Sequence, residues 1–290
     1  MPEITLGEAV NRASRQLKEK GAASPRLDAE VLLAHVLGRD RVYLYRESGL
    51  QLDTAAADRY TKLLERRAAG EPVAYLTGHK EFMGLDFLVG PRVLIPRPET
   101  ELMVEYALGV LKGWTGLPVA VDVGTGSGAV AVSLSRLVPG CAVYATDVSA
   151  DALTMARENA NRHGVRVNFG HGDLLEPLRG ILAPGTAAVV AANLPYIPEG
   201  DIPGLPREVR DFEPHDALDG GPDGLELYRR LVPQALALLA PGGHLLMEIG
   251  PGQARDVRQF TSNQHWEIRV LPDLAGRPRL AAACKKLIAL

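Results

Sequence analysis

Nine residues constrain this chain more than any others: Val121-Asp122-Val123-Gly124-Thr125-Gly126-Ser127-Gly128-Ala129. A short apolar strand, Val119–Val123, runs into them, and a helical pattern, Ser127–Leu137, runs out. Glycines at a strand-to-helix junction let the backbone turn tightly and approach a ligand closely. The alternation continues downstream. Strands are expected over Cys141–Thr146, Val165–Phe169, Ala187–Ala192 and His244–Ile249, and two more near Trp266–Leu271 and Leu280–Ile288. Helices are expected over Ala150–Asn161, behind Ser149 as N-cap, and over Leu225–Leu239. Strands alternating with helices predict an α/β fold, a parallel sheet covered on both faces. Ligands in such sheets bind at the carboxyl ends of the strands, near the switch in strand order.

The chain before this region reads differently. Thr5 and Glu8 have capping-box spacing, and Leu6, Ala9, Val10, Ala13 and Leu17 follow a helical period. Ser24-Pro25 resembles an N-cap followed by proline at the first helical position. Ala29, Leu32, Leu33, Val36 and Leu37 form the next stripe, and a third helix is expected from Thr54 to Ala69. Residues 71–98 suggest short strands at Tyr75–Gly78, Phe82–Gly84 and Phe87–Pro91, a hairpin linking two domains. Two domains also suit a length of 290 residues. The divisions are 1–74, a helical bundle; 75–98, the hairpin; and 99–290, the α/β domain.

Composition removes several function classes. With 32 basic and 35 acidic residues the chain has no strongly basic coat for nucleic acid. Two cysteines, Cys141 and Cys284, cannot frame a disulfide scaffold or a cysteine-rich zinc site. His79, His163 and His215 lack metal-ligand spacing, so no metal is expected. The N-terminus has no apolar signal segment and no stretch suits a membrane span, so the expected location is cytoplasmic.

The glycine turn alone leaves its cofactor open. Gly124-x-Gly126-x-x-Ala129 also satisfies the dinucleotide pattern. Asp147 ends the second strand, where a carboxylate can accept hydrogen bonds from both ribose hydroxyls of either cofactor. Two later features favour S-adenosylmethionine. Gly172-Asp173-Leu174 follows the third strand, where Asp173 or its backbone can read an adenine amino group and Leu174 can lie against the ring. Asn193-Leu194-Pro195-Tyr196 ends the fourth strand, and a nicotinamide enzyme has no need of it. The cofactor set is therefore Gly124, Thr125, Gly126, Ser127, Gly128, Asp147, Asp173, Leu174 and Asn193.

Asn193 to Tyr196 also carries the chemistry. The Asn193 side-chain oxygen and the Leu194 carbonyl can each accept one N–H of a planar –NH2 group. Pro195 stiffens the turn, and Tyr196 can stack on the planar group. The lone pair of an amide or aromatic amine is delocalised, which makes it a poor nucleophile. Two acceptors favour the partly pyramidal nitrogen of the transition state, and such differential binding raises the rate.

At these residues the chain resembles the class I S-adenosylmethionine-dependent methyltransferases, and specifically the release factor glutamine methyltransferases (PrmC/HemK family). The resemblance is carried by Gly70–Gly78, Leu94–Glu101 with its Pro-Arg-Pro-Glu-Thr-Glu, Asp122–Gly128 and Asn193–Tyr196. Phe212–Pro214, Ala217–Gly221, Asp223–Leu225 and Glu248–Gly250 extend it. The family's usual motif is Asn-Pro-Pro-Tyr; Leu194 supplies the same carbonyl but adds an N–H that needs a partner. The resemblance implies a Rossmann-like, seven-stranded, mostly parallel sheet behind an N-terminal helical bundle and hairpin. It implies methyl transfer to the N5 amide of the glutamine in the Gly-Gly-Gln motif of class I release factors, leaving S-adenosylhomocysteine. It implies a monomer whose N-terminal domain helps bind the release factor.

Adenine-N6 DNA and guanine-N2 rRNA methyltransferases solve the same –NH2 problem and are the alternative. Glu199 to Glu226 holds nine acidic residues and two arginines. An acidic rim repels phosphate and suits a basic protein surface, so no direct nucleic-acid partner is expected. Arg97 and Glu99 either line the site or tie the linker to the core.

Overall fold

Thr5 opens the first helix as its spacing requires. Its hydroxyl accepts the Glu8 N–H at 3.3 Å while Glu8 Oε2 accepts the Thr5 N–H at 2.9 Å, satisfying two free donors reciprocally. The computed structural model describes residues 4–261 and 264–287. Met1–Glu3 and the last residue of the expected final strand, Ile288, lie outside the described residues. Helix α1 (Leu6–Glu19) buries Leu6, Ala9, Val10, Ala13 and Leu17, the stripe expected of it. Helix α2 (Pro25–Leu37) starts with Pro25 in its first turn, but Ser24 makes no side-chain cap bond, which corrects the expected N-cap. The Ser24 backbone, at ψ 59°, is out of the extended conformation that a capping side chain needs. Then come α3 (Arg41–Arg46), α4 (Thr54–Ala68) and α5 (Val73–Thr77). The last overturns the strand expected at Tyr75–Gly78: Tyr75 and Leu76 are buried in one helical turn closed by Gly78 in the left-handed conformation.

The chain divides into two units. One runs to His79 and takes in Pro206–Phe212; the other comprises Lys80–Leu205 and the chain from Glu213 onward. In the first, Leu17, Leu32, Leu33, Tyr60 and Leu64 form the core. A buried pair, Arg67 with Asp28 at 2.7 Å, crosses it, and Glu208 reaches the same guanidinium at 3.0 Å.

The second unit contains most of the hairpin β1 (His79–Phe82) and β2 (Leu85–Leu88). Met83 at φ 53° and Gly84 at φ 73° form its two-residue turn, the left-handed pair that matches strand twist. Phe82 and Phe87 meet edge to face, fully buried. The hairpin is followed by α6 (Pro98–Lys112), β3 (Val119–Val123), α7 (Ala129–Leu137), β4 (Ala142–Asp147), α8 (Ala150–Arg162), β5 (Asn168–His171) and β6 (Ala187–Ala192). The short α9 (Arg207–Arg210) belongs to the first unit; α10 (Glu226–Leu238), β7 (Leu239–Glu248), α11 (Ala254–Thr261), β8 (Trp266–Pro272) and β9 (Pro278–Lys285) complete the second.

Among the described residues the sheet has seven strands in the order β5-β4-β3-β6-β7-β9-β8, with β9 antiparallel to both neighbours and the rest aligned. This is the mostly parallel α/β architecture read from the alternation. Most element boundaries differ by one to three residues, and three of the larger differences are at α7, β5 and β7. Helix α7 starts at Ala129 rather than Ser127, because Gly126 and Gly128 hold left-handed backbone. Strand β5 starts at Asn168, where pairing with Tyr144 of β4 begins. Strand β7 continues back through Pro241–Gly243, across a register shift against β6, to Leu239.

Candidate active site

Strands β3 and β6 are neighbours, yet β4 and β5 lie on one side and β7 on the other, so strand order reverses between them. Val123 pairs with Ala192, which brings Gly124 and Asn193 together at the carboxyl ends. A cavity of about 440 Å³ opens there, within the roughly 300–1,000 Å³ typical of small-molecule sites. Gly124, Thr125, Gly126, Ser127, Asp147, Asp173, Leu174, Asn193, Leu194 and Pro195 all line it. Gly128 and Tyr196, expected with them, lie outside the lining.

The glycine turn is shaped by its own backbone. Gly124, at φ 71°, and Thr125 both donate their N–H to the Thr146 carbonyl, at 2.9 and 3.0 Å. The Gly124 torsion favours glycine, and a Cβ there would stand 2.9 Å from Leu194 Cδ2 and displace that side chain. Gly128 instead permits close helix packing: a Cβ there would meet Ala156 Cα at 3.1 Å. Beneath the turn, buried Asp122 Oδ2 accepts the Thr125 hydroxyl at 2.6 Å and the Ala131 N–H at 3.1 Å. Burial pushes its pKa up to about 7.

Asp147 accepts the Gly126 N–H on Oδ2 at 2.9 Å and the Ser149 N–H on Oδ1 at 2.8 Å. A carboxylate oxygen accepts two hydrogen bonds, so each keeps capacity for a ligand hydroxyl. Burial raises its pKa, and these N–H groups oppose the rise. Asp173 is paired with Arg230 through Oδ2. Leu174, buried, sits at φ 47°, a strained conformation for a branched side chain and of the kind that clusters at binding sites.

The Asn193 turn is held by residues from distant segments. Asn193 Nδ2 donates to Thr100 Oγ1 at 3.0 Å, and the Thr100 hydroxyl donates to Glu248 Oε2 at 2.6 Å. Tyr196 donates its hydroxyl to Glu248 Oε1 at 3.3 Å and receives Arg279 Nη1 at 3.2 Å. Tyr196 is thus anchored by its hydroxyl, and it lies outside the cavity lining. Burial raises both the Tyr196 hydroxyl and the Glu248 carboxyl above their ordinary ranges. The extra N–H of Leu194 finds its partner in the Tyr228 hydroxyl at 3.3 Å, which in turn meets the Ala192 and Glu248 carbonyls. Gln253 closes the far side, donating to the Tyr196 carbonyl at 2.8 Å and accepting the Gly250 N–H at 2.8 Å. No role for Thr100, Tyr228, Glu248, Gln253 or Arg279 was readable, because each acts across more than thirty residues of chain.

Arg97 lines the cavity and Glu99 does not. Arg97 pairs with buried Glu213 at 2.5 Å, and Glu213 also accepts the Ile95 N–H at 3.2 Å. Part of the acidic stretch is compensated by arginines inside and outside it. Glu208 pairs with Arg67, Asp211 with Arg207 and Arg210, Asp223 with Arg229, and Asp219 accepts the Gly221 N–H. Asp216 lines the cavity. The expected free acidic rim is therefore much weaker than the composition of the stretch suggests. Among the described residues no group of three or more His, Cys, Asp or Glu is placed to hold a metal, and no helix is long and apolar enough to cross a membrane.

Comparison with known proteins places these features in context. Residues 8–78 match the PrmC N-terminal domain, and residues 120–212 match a methyltransferase domain. The release factor glutamine methyltransferase of Moorella thermoacetica is 47% identical over 98% of this chain and 99% of its own length. That of Koribacter versatilis is 41% identical over 97% of this chain and 99% of its own. The solved hMettl16 catalytic domain in complex with MAT2A 3′UTR hairpin 6 shares the fold, with a TM-score of 0.57 at 15% identity, over 78% of this chain and 82% of that one.

Proposed function

The chain belongs to the release factor glutamine methyltransferase family, and we propose that the cavity beside the Asn193–Tyr196 turn is where that family's reaction runs in this protein. The protein is an S-adenosylmethionine-dependent protein-glutamine N5-methyltransferase. It methylates the glutamine in the Gly-Gly-Gln motif of class I release factors. The bound cofactor supplies an electrophilic methyl group on a sulfonium.

The residues present fit that cofactor. The volume suits it, Asp147 has acceptor capacity for two ribose hydroxyls, and a Cβ at Gly124 would crowd the junction of the two turns. In this scheme Gly124, Thr125, Gly126 and Ser127 give the backbone wall, Asp147 holds the ribose, and Leu174 lies against the adenine. Asp173 pairs with Arg230 through Oδ2, so its Oδ1 or its backbone does the reading at the adenine edge. Gly128 supports the turn from behind.

The observation that carries the mechanism is the orientation of Asn193. Thr100 holds its Nδ2, which leaves Oδ1 as the acceptor for a substrate N–H. The Leu194 carbonyl accepts the other N–H. Together they fix the glutamine amide plane with its lone pair toward the methyl group, and they stabilise the positive charge that develops on nitrogen. Pro195 stiffens the turn, and Tyr196 anchors it. The S–CH3 bond breaks as the N–CH3 bond forms, leaving S-adenosylhomocysteine, and the methylated nitrogen gives its extra proton to solvent water, restoring a neutral amide.

A substrate that works in translation termination supports a cytoplasmic location. The helical segment, residues 1–74, carries release-factor recognition, and the 75–98 hairpin region leads into the catalytic domain. The test is label transfer from methyl-labelled S-adenosylmethionine. We expect labelling of a class I release factor, and none of its Gly-Gly-Gln variant with Gln→Ala, of duplex DNA or of rRNA. Equal labelling of both release factors, or labelling of nucleic acid, would overturn the reading.

A further inference from the structure

A side-chain amide can be flipped end for end at little steric cost. A flipped Asn193 would present Nδ2–H to the substrate –NH2, donor against donor. What prevents this is the polarity of the chain of hydrogen bonds behind it. Glu248, at the end of β7 and almost fully buried, is acceptor-only when ionised. Its Oε2 takes the single proton of the Thr100 hydroxyl at 2.6 Å, the short distance of a charge-assisted bond. With its proton committed, Thr100 Oγ1 offers only lone pairs, and only the Nδ2 end of Asn193 can meet it, at 3.0 Å. The Thr100 side chain is fixed in turn by burial in the first turn of α6.

We propose that Thr100 and Glu248 are positioning residues: Glu248 sets the direction of the Thr100 hydroxyl, and Thr100 sets which end of the Asn193 amide faces the substrate. Glu248 joins the two ends of the turn, since its other oxygen accepts the Tyr196 hydroxyl. The inference deepens the assignment of Asn193 Oδ1 as substrate acceptor and rests on it.

Thr100→Val keeps the shape and deletes the hydroxyl, whereas Thr100→Ser keeps the hydroxyl. In the full-length enzyme we expect Thr100→Val to lower kcat for release factor methylation about tenfold to hundredfold, the scale for losing one oriented group at a transition state. S-Adenosylmethionine affinity by calorimetry and KM for the release factor should stay unchanged. Thr100→Ser should recover most of kcat. A contact that only stabilised the fold would shift Tm without this split. Wild-type kcat in Thr100→Val, a Thr100→Ser enzyme as slow as Thr100→Val, or a loss residing in cofactor affinity would each overturn the inference. Asn193→Ala separates the two levels. If it stays active, the acceptor assignment falls and takes this inference with it. If it is inactive while Thr100→Val turns over normally, the positioning role alone falls.

Discussion

The two turns that meet at the switch point are built in opposite ways. The Gly124–Gly128 turn is made of backbone: left-handed glycines, two N–H groups on the Thr146 carbonyl, and the Gly126 N–H on the Asp147 carboxylate. The Asn193–Tyr196 turn is made of side chains, held by Thr100, Tyr228, Glu248, Gln253 and Arg279. In the proposed scheme the backbone cradle serves a cofactor whose shape is constant. A side-chain cage fixes the polarity of one amide, which backbone geometry alone cannot do. The two constructions meet where Gly124 faces the Leu194 side chain and the Asn193 carbonyl.

That contact is where the comparison breaks most easily. Gly124→Ala puts a Cβ at left-handed φ, about 1–2 kcal/mol of strain, and drives it into the Leu194 side chain. We expect cofactor Kd to rise by about tenfold or more, the strain converted at roughly tenfold per 1.4 kcal/mol. We also expect kcat at saturating cofactor to fall, because Leu194 must move. Gly128→Ala, whose new contact is with Ala156, should weaken cofactor binding and leave saturated turnover intact. Isothermal titration paired with saturated kinetics distinguishes them. Identical profiles for the two variants would mean that the turns are not independent constructions joined at Leu194.

Tyr228→Phe attacks the side-chain cage alone. It removes one hydroxyl from the Leu194 N–H and from the Ala192 and Glu248 carbonyls, all buried. An unsatisfied buried group costs about 1–3 kcal/mol, so urea denaturation should show a loss of that order with little change in cofactor Kd. A larger effect on cofactor affinity than on stability would place Tyr228 with the cradle rather than the cage.

The same contrast explains what was legible in the sequence. The cradle is local: nine consecutive residues announce a strand, a glycine turn and a helix, and Asp147 follows at the end of the next strand. The Asn193 motif was legible because its four residues are contiguous. Its supports were not, because Thr100 and Glu248 are 148 residues apart and meet only when β6 and β7 pair and α6 packs on them. The charge argument failed for a related reason: counting carboxylates between Glu199 and Glu226 cannot reveal arginine partners such as Arg67, Arg97 and Arg229 outside that stretch. The helix at α5 was read as strand because Tyr75-Leu76-Thr77 suits a half-buried strand by composition, while the Gly78 cap decides the outcome.

Burial raises the carboxyls behind both turns, and Asp122 of the cradle offers the cleaner case of a pH response. Asp122 has an ordinary value of 3.8 and a folded value near 7, raised by burial. The folded state therefore holds a proton that the unfolded chain releases. The stabilisation is fully present below the unfolded value and is lost as pH rises through the folded one, with a slope of at most about 1.4 kcal/mol per pH unit. Asn at this position mimics the neutral acid and can still accept the Thr125 hydroxyl and the Ala131 N–H on one oxygen. His35 and His244, whose pKa values burial lowers, push stability the other way, but they are common to both proteins and cancel in the difference. Urea midpoints between about pH 5 and about pH 8 should show the wild type losing ground to Asp122→Asn as pH rises. Parallel curves would mean that Asp122 is ionised throughout. The cradle would then stand on a buried charge held by the Thr125 hydroxyl and the Ala131 N–H.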